Sequence, residues 1–151
     1  MGESFGAWQM GNDAALMDYV SSVNIACGFH AGDATVIRKT IETAIKTQVA
    51  VGAHPSFPDL QGFGRRAMSL SAEEVFDVVL YQIAAVKGVA EALGGKLNHV
   101  KPHGALYNQA AKDANLSKAI AEAVKSLDKN LVLYGLSGSF LISEAEKINL
   151  K

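Results

Sequence analysis

The sequence predicts an α/β fold and, within that class, a (β/α) barrel. Three observations carry the prediction. Strand-like and helix-like segments alternate, with crossovers long enough for parallel pairing. The strands alternate bulky apolar residues with small or polar ones. In Val23-Asn24-Ile25-Ala26-Cys27-Gly28-Phe29-His30, one face carries Val23, Ile25, Cys27 and Phe29, and the other carries Asn24, Ala26, Gly28 and His30. Three strands end in an imidazole followed by a small residue or a proline: Gly28-Phe29-His30-Ala31, Gly52-Ala53-His54-Pro55 and Lys101-Pro102-His103-Gly104. A doubly wound sheet is covered on both faces and reads as apolar throughout, whereas a small, polar face suits a strand lining a narrow interior. An open sheet with one irregular face is the alternative.

The elements follow in order. Residues 1–11 read as a glycine-containing loop that holds Glu3 and Trp8, and Asn12 or Asp13 can cap a short helix over 14–19. The strand from Val23 comes next. Asp33 is a suitable N-cap for a helix over 34–47, with Val36, Ile37, Ile41, Ala44 and Ile45 as its apolar stripe. Val49 to His54 is a second strand. The stretch Pro55 to Leu70 reads as a long loop of the kind that carries function, and it contains the pair Arg65-Arg66. Ser71 with Glu74 fits a capping box for a helix reaching Leu93, buried through Val75, Val79, Ile83, Val86, Ala90 and Leu93. Gly94-Gly95 ends it. The third strand runs from Leu97 through His103 and places His99, Lys101 and His103 on one face. A helix over 115–127, a strand over 131–136 and a helix over 140–147 complete the reading.

Composition narrows the function. The chain has 151 residues, 49% hydrophobic and 19% charged, enough for one domain with a core. A net charge of −1 gives no electrostatic reason to expect nucleic acid or an anionic membrane. No apolar run has the length of a transmembrane helix, and the start lacks a basic region followed by an apolar one. The one cysteine, Cys27, excludes an internal disulfide framework and falls on an apolar face as packing. These features predict a soluble cytoplasmic protein.

Parallel strands bring their C-terminal ends to one edge, so His30, His54 and His103 collect where α/β proteins build their sites. Lys101 belongs with them, because a lysine on a buried strand needs a reason. Simpler readings stand beside these. Asp33 is also a plain N-cap, His99 a satisfied core histidine, and Arg65-Arg66 a solvated pair.

Three stretches resemble the LamB/YcsF family, the group of 5-oxoprolinase A subunits. They are Asn24-Ile25-Ala26-Cys27-Gly28-Phe29-His30-Ala31-Gly32-Asp33, Gly52-Ala53-His54-Pro55-Ser56-Phe57-Pro58-Asp59 and His99-Val100-Lys101-Pro102-His103-Gly104-Ala105-Leu106-Tyr107-Asn108. The resemblance implies a seven-stranded barrel akin to polysaccharide deacetylases. It implies a bacterial subunit that works with partner subunits B and C to open 5-oxo-L-proline to L-glutamate, with ATP hydrolysed to ADP and phosphate. Of the family's opening strand, Asp-Leu-Asn-x-Asp-Leu-Gly-Glu, only Gly2-Glu3 is found, behind Met1, and the C-terminal strands beyond Lys151 are absent. The expectation is one domain over 1–151 that is an incomplete barrel, part of a longer chain.

The residues fit that chemistry. A lactam is a stable amide whose oxygen must be activated before water attacks. His103, His54 or His30 would be the general base, and Lys101 would neutralise charge on the activated oxygen or a phosphate. Asp33 would orient an imidazole or bind a divalent metal. Arg65 or Arg66 would hold the substrate carboxylate, with Glu3, Asn24 and Tyr107 as further substrate contacts. No phosphate-loop motif is present, so ATP binding rests on the resemblance. A metal-dependent, deacetylase-like hydrolase is the second reading, with His30, His54, His103 and Asp33 as ligands of Zn²⁺ or a similar ion. A non-catalytic subunit of a hydrolase complex is the third.

Overall fold

A computed structural model describes residues 1–151. Helix α1 (Asp13–Met17) is followed by β1 (Ser22–Ala26), α2 (Ala34–Lys46), β2 (Ala50–His54) and α3 (Ala72–Ala92). Then come β3 (Leu97–Val100), α4 (Gly104–Ala110), α5 (Ala114–Leu127), β4 (Val132–Leu133) and α6 (Phe140–Lys147). The four strands form one parallel sheet in the order β1-β2-β3-β4. No helix is long and apolar enough to cross a membrane.

The alternation in the sequence becomes two rows across this sheet. Ile25, Ala53, Val100 and Leu133 are in register and all buried. They join Val75, Val79, Ile83 and Val86 of α3 and Ile120 and Val124 of α5 in one core. Asn24, Gly52, His99 and Val132 form the adjacent row. Gly52 is there for space. A methyl group on it would overlap the His99 imidazole, whose Nε2–H donates to Asn24 Oδ1 at 2.9 Å. His99 also stacks on Tyr134, with ring centroids 4.6 Å apart.

Capping follows the sequence closely. Asp33 Oδ1 accepts from Val36 N at 2.9 Å and caps α2. Ser71 and Glu74 make both bonds of a capping box on α3. At α1 the structure differs: Asn12 makes no side-chain cap bond, and the Asp13 carboxylate accepts from Gly2 N at 2.6 Å.

The strands are shorter than the alternation implies. β1 stops at Ala26 and β3 at Val100, so His30, Lys101 and His103 stand on the loops that leave the strands. Ladder-like bonds continue past β3, from Lys101 N to Ala53 O and from His103 N to Pro55 O. α4 begins directly after His103, where the sequence predicts only a turn. Gly104 makes this possible with φ +52°, and a side chain there would strike the Gly64 carbonyl.

The Gly52–His99 fit generates a prediction. Gly52→Ala should cost about 1–3 kcal/mol through overpacking. Its cost should shrink in a His99→Ala background, where the obstructing ring is gone. Urea unfolding of the four proteins measures both. Equal costs in the two backgrounds would show that the ring is not the obstacle.

Candidate active site

Three imidazoles meet where the sequence places them, at the C-terminal ends of β1, β2 and β3. His30 and His103 stack face to face, with centroids 3.8 Å apart and planes 4° from parallel. His54 stands edge-on to both, at 5.8 Å from His30 and 4.8 Å from His103. Phe63 closes the cluster, edge-on to His30 and to His103 at 5.4 Å. His30 and His103 are buried, and His54 is half-buried.

Each ring's proton is fixed by an oxygen that can only accept, or whose own proton is already committed. His54 Nδ1–H donates to Lys101 O at 2.5 Å. His103 Nε2–H donates to Phe63 O at 2.8 Å. His30 Nδ1–H donates to Ser56 Oγ at 2.9 Å, because the Ser56 hydroxyl gives its own proton to Phe57 O. Ser56 is held in turn by Gln82 of α3, whose amide bonds both Ser56 N and Ser56 O at 2.9 Å. The neutral rings are left with lone pairs on His30 Nε2, His54 Nε2 and His103 Nδ1. The first has no partner. The other two face each other at 3.1 Å, and with both remaining ring protons held by carbonyls, a proton between them would make the pair singly charged.

Burial governs the charge of the cluster. It pulls His30 down to about 2, helped by repulsion from His103 and His54, and His54 down to about 3. His103 is also lowered by burial, against the bond to the Phe63 carbonyl and the charge of Glu3, which raise it. Burial thus favours the uncharged form of the cluster at neutral pH. Cys27, buried behind β2 with Sγ accepting from His54 N at 3.2 Å, is pushed up to about 12 by burial and is packing.

A cleft of about 420 Å³ opens beside His54 and His103, lined also by Arg65, Lys101, Tyr107 and Asn108. Lys101 Nζ lies 5.8 Å from the centre of the Tyr107 ring, and the Arg65 guanidinium lies 5.5 Å from that of Phe63. The two adjacent arginines part company here. Arg65 faces the cleft, whereas Arg66 is bound through Nε and Nη2 to the buried Asp59 carboxylate, which that contact holds below the usual range.

The remaining sequence candidates lie elsewhere. Asp33 spends both oxygens on backbone amides, Oδ1 on Val36 N and Oδ2 on Gly6 N at 2.8 Å, and bonds no imidazole. Asn24 is engaged by His99. Glu3 lines a neighbouring, mostly apolar pocket of about 390 Å³ with Phe5, Trp8, His30 and Phe63. His99 sits one row below the cluster, not in it. The structure gathers His30, His54 and His103, but it does not arrange them as ligands of one ion. Imidazole lone pairs lie in the ring plane, so the stacked pair cannot aim at a common point, and no group of three His, Cys, Asp or Glu side chains has metal-binding geometry. Sequence reasoning missed Ser56, Asp59, Phe63 and Gln82. Gln82 left one signal, a polar residue seven after Val75 inside the apolar stripe of α3.

Burying neutral histidines predicts acid sensitivity. Unfolded, each titrates near 6.5; folded, His30 and His54 titrate near 2 and 3. The unfolded chain thus binds more protons below pH 6.5, so this stability is complete above that pH and is lost as pH falls. Between pH 6.5 and 5, before carboxylates contribute, the unfolding free energy should drop by roughly 1 kcal/mol per histidine per pH unit. Urea titrations at pH 7, 6 and 5 measure it, and a constant midpoint would contradict neutral burial.

Comparison with known proteins agrees with this architecture. The LamB/YcsF family profile matches residues 1–151. The 5-oxoprolinase A subunit from Bordetella pertussis is 58% identical over 151 residues, which are 100% of this chain and 60% of that protein. The one from Tolumonas auensis is 60% identical over the same shares. The crystal structure of the lactam utilization protein from Thermus thermophilus superposes with a TM-score of 0.98 at 50% identity, over 100% of this chain and 61% of that one. The chain thus spans about 60% of the length of the curated relatives it matches. It belongs to the LamB/YcsF family.

Proposed function

We propose that this chain is part of the A subunit of an ATP-dependent 5-oxoprolinase, which opens 5-oxo-L-proline to L-glutamate with partner subunits B and C. One observation carries the reading: a buried histidine pair, His54 Nε2 and His103 Nδ1 at 3.1 Å, beside Lys101 and Arg65 in one cleft. The names of the relatives support the same assignment.

Opening a lactam needs three things from a protein. A base must take a proton from attacking water. The resting His54–His103 pair is uncharged and can accept one. That proton would lie between His54 Nε2 and His103 Nδ1 and satisfy both atoms, while the Lys101 and Phe63 carbonyls keep the protons they hold. A cation must meet the charge gathering on the activated oxygen, and Lys101 is next to the pair in the cleft. A further cation must hold the substrate carboxylate, and Arg65 is the free arginine of the loop. Arg66 has no part in this, since Asp59 occupies it. Tyr107 forms a wall of the same cleft.

Lys101 and Arg65 suit phosphate oxygens as well as a carboxylate, so the cleft fits a phosphoryl group. ATP, with a divalent ion as its companion, would supply that group to the lactam oxygen and make it a leaving group. The need for ATP argues for a cytoplasmic setting. We also propose that the sheet is the larger part of a seven-stranded, deacetylase-like barrel formed by one domain of a longer chain. Sequential parallel order, without the reversal of a doubly wound sheet, is what a barrel wall requires.

The test is glutamate release from 5-oxoproline by the complete protein, with and without ATP and with and without the partner subunits. Turnover should require all of them. His103→Gln should lower kcat by about 10²–10⁴-fold, the usual worth of a general base. Lys101→Ala should lower it by about 10²–10³-fold. Turnover without ATP would overturn the reading, and full turnover by Lys101→Ala would remove that residue from it.

A further inference from the structure

Asp59 is a buried carboxylate, 3% exposed, in a loop, and the mechanism above makes no use of it. Its side chain collects four donors. Oδ1 accepts from Gly62 N at 2.9 Å, from Arg66 Nε at 2.9 Å and from Arg66 Nη2, and Oδ2 accepts from Arg66 N at 3.3 Å. Its carbonyl accepts from Gly64 N at 2.8 Å. Residues 59–66 are thereby wound around one carboxylate. A methyl group at Gly62 would overlap that carboxylate, so the winding leaves no slack.

The wound loop delivers three groups to the site. The Phe63 carbonyl accepts from His103 Nε2–H. The Gly64 carbonyl accepts from Ala105 N at 2.9 Å, which seats the start of α4 behind His103. Arg65 is set into the cleft. Phe63 itself is held at φ +54°, a left-handed conformation that a bulky residue avoids unless its surroundings impose it. Released, Phe63 would relax toward negative φ and its carbonyl would swing away from His103.

That carbonyl decides what His103 can do. With it in place, the ring proton sits on Nε2 and the Nδ1 lone pair faces His54. Without it, the proton is drawn to Nδ1, where it donates to His54 Nε2 at the existing 3.1 Å separation. The His54 lone pair would then be consumed, and the acceptor of His103 would move to Nε2, on the side of the ring turned away from His54.

We propose that Asp59 is a positioning residue: by folding the 59–66 loop it presents the Phe63 carbonyl that holds His103 as the Nε2–H tautomer and so keeps the acceptor of His103, Nδ1, turned toward His54. The catalytic half of this inference rests on the function proposed above; the tautomer half does not.

The experiment uses the complete protein, labelled with ¹⁵N-histidine, and reads the His103 tautomer at pH 7 from its nitrogen shifts and proton couplings. The wild type should show Nε2–H. Asp59→Asn, nearly isosteric but uncharged and carrying donors where acceptors are needed, should convert most of the population to Nδ1–H and lower kcat by tenfold or more. Asp59→Glu should restore part of both. A folded Asp59→Asn protein with His103 still as Nε2–H would overturn the proposal, and so would a wild type with His103 as Nδ1–H. Should Asp59→Asn fail to fold, Gly62→Ala, which presses on the same carboxylate, should produce the same conversion; retention of Nε2–H in that protein overturns the proposal equally. If Asp59→Asn shows the tautomer change while the wild-type complex itself releases no glutamate, the result counts against the proposed function and leaves the positioning role standing.

Discussion

The bond from His54 Nδ1–H to the Lys101 carbonyl sets the terms for the whole site. A carbonyl can only accept, so the proton stays on Nδ1 and the opposite nitrogen is left bare. The Phe63 carbonyl imposes the mirror condition on His103. Two rings at hydrogen-bond distance can then share a proton only by taking on a positive charge. Burial disfavours the charged form and so biases the cluster toward the neutral state at neutral pH. Its acid–base character comes from backbone oxygens as much as from the histidines themselves.

Those oxygens are in place because of the sheet. Lys101 N bonds Ala53 O, and His103 N bonds Pro55 O, so the exit from β3 is tied to the exit from β2 residue by residue. Below, the row Asn24–Gly52–His99 locks the three strands in register around one imidazole. A slip of one residue would turn His54 and His99 to the helix-covered face and leave their polar atoms in the core. Stability and chemistry are therefore coupled through register: the same alternation that builds the apolar core turns the polar atoms toward the site.

Much of this is legible in the sequence. The alternation in β1 and β2, the Asp33 and Ser71 caps and the three terminal imidazoles all depend on near neighbours in the chain, and local patterning records them. Other features depend on partners chosen in space. Nothing near Arg66 says that Asp59 will claim it while Arg65 goes free, because the choice is made by how residues 59–66 wind. The sequence overruns the ends of β1 and β3 because alternation persists after pairing has stopped. It hides the short α4 because Gly104 reads as a turn, although Leu106 and Ala110 lie four apart and are both buried. Ser56 and Gln82 act as a relay from α3 to His30, and only the fold brings them together.

Cys27 makes movement at the exits of β1 and β2 observable. It is the only thiol in the sequence, it is buried between β1 and β2 against His54 N, and its proton is held up to about 12. Thiol reagents attack the thiolate, so in the closed molecule this atom is chemically silent. It becomes reactive only when solvent reaches it, at the point where the chain leaves β1 beside the end of β2. The rate at which Cys27 itself is alkylated is then a built-in clock for events at the His54 exit.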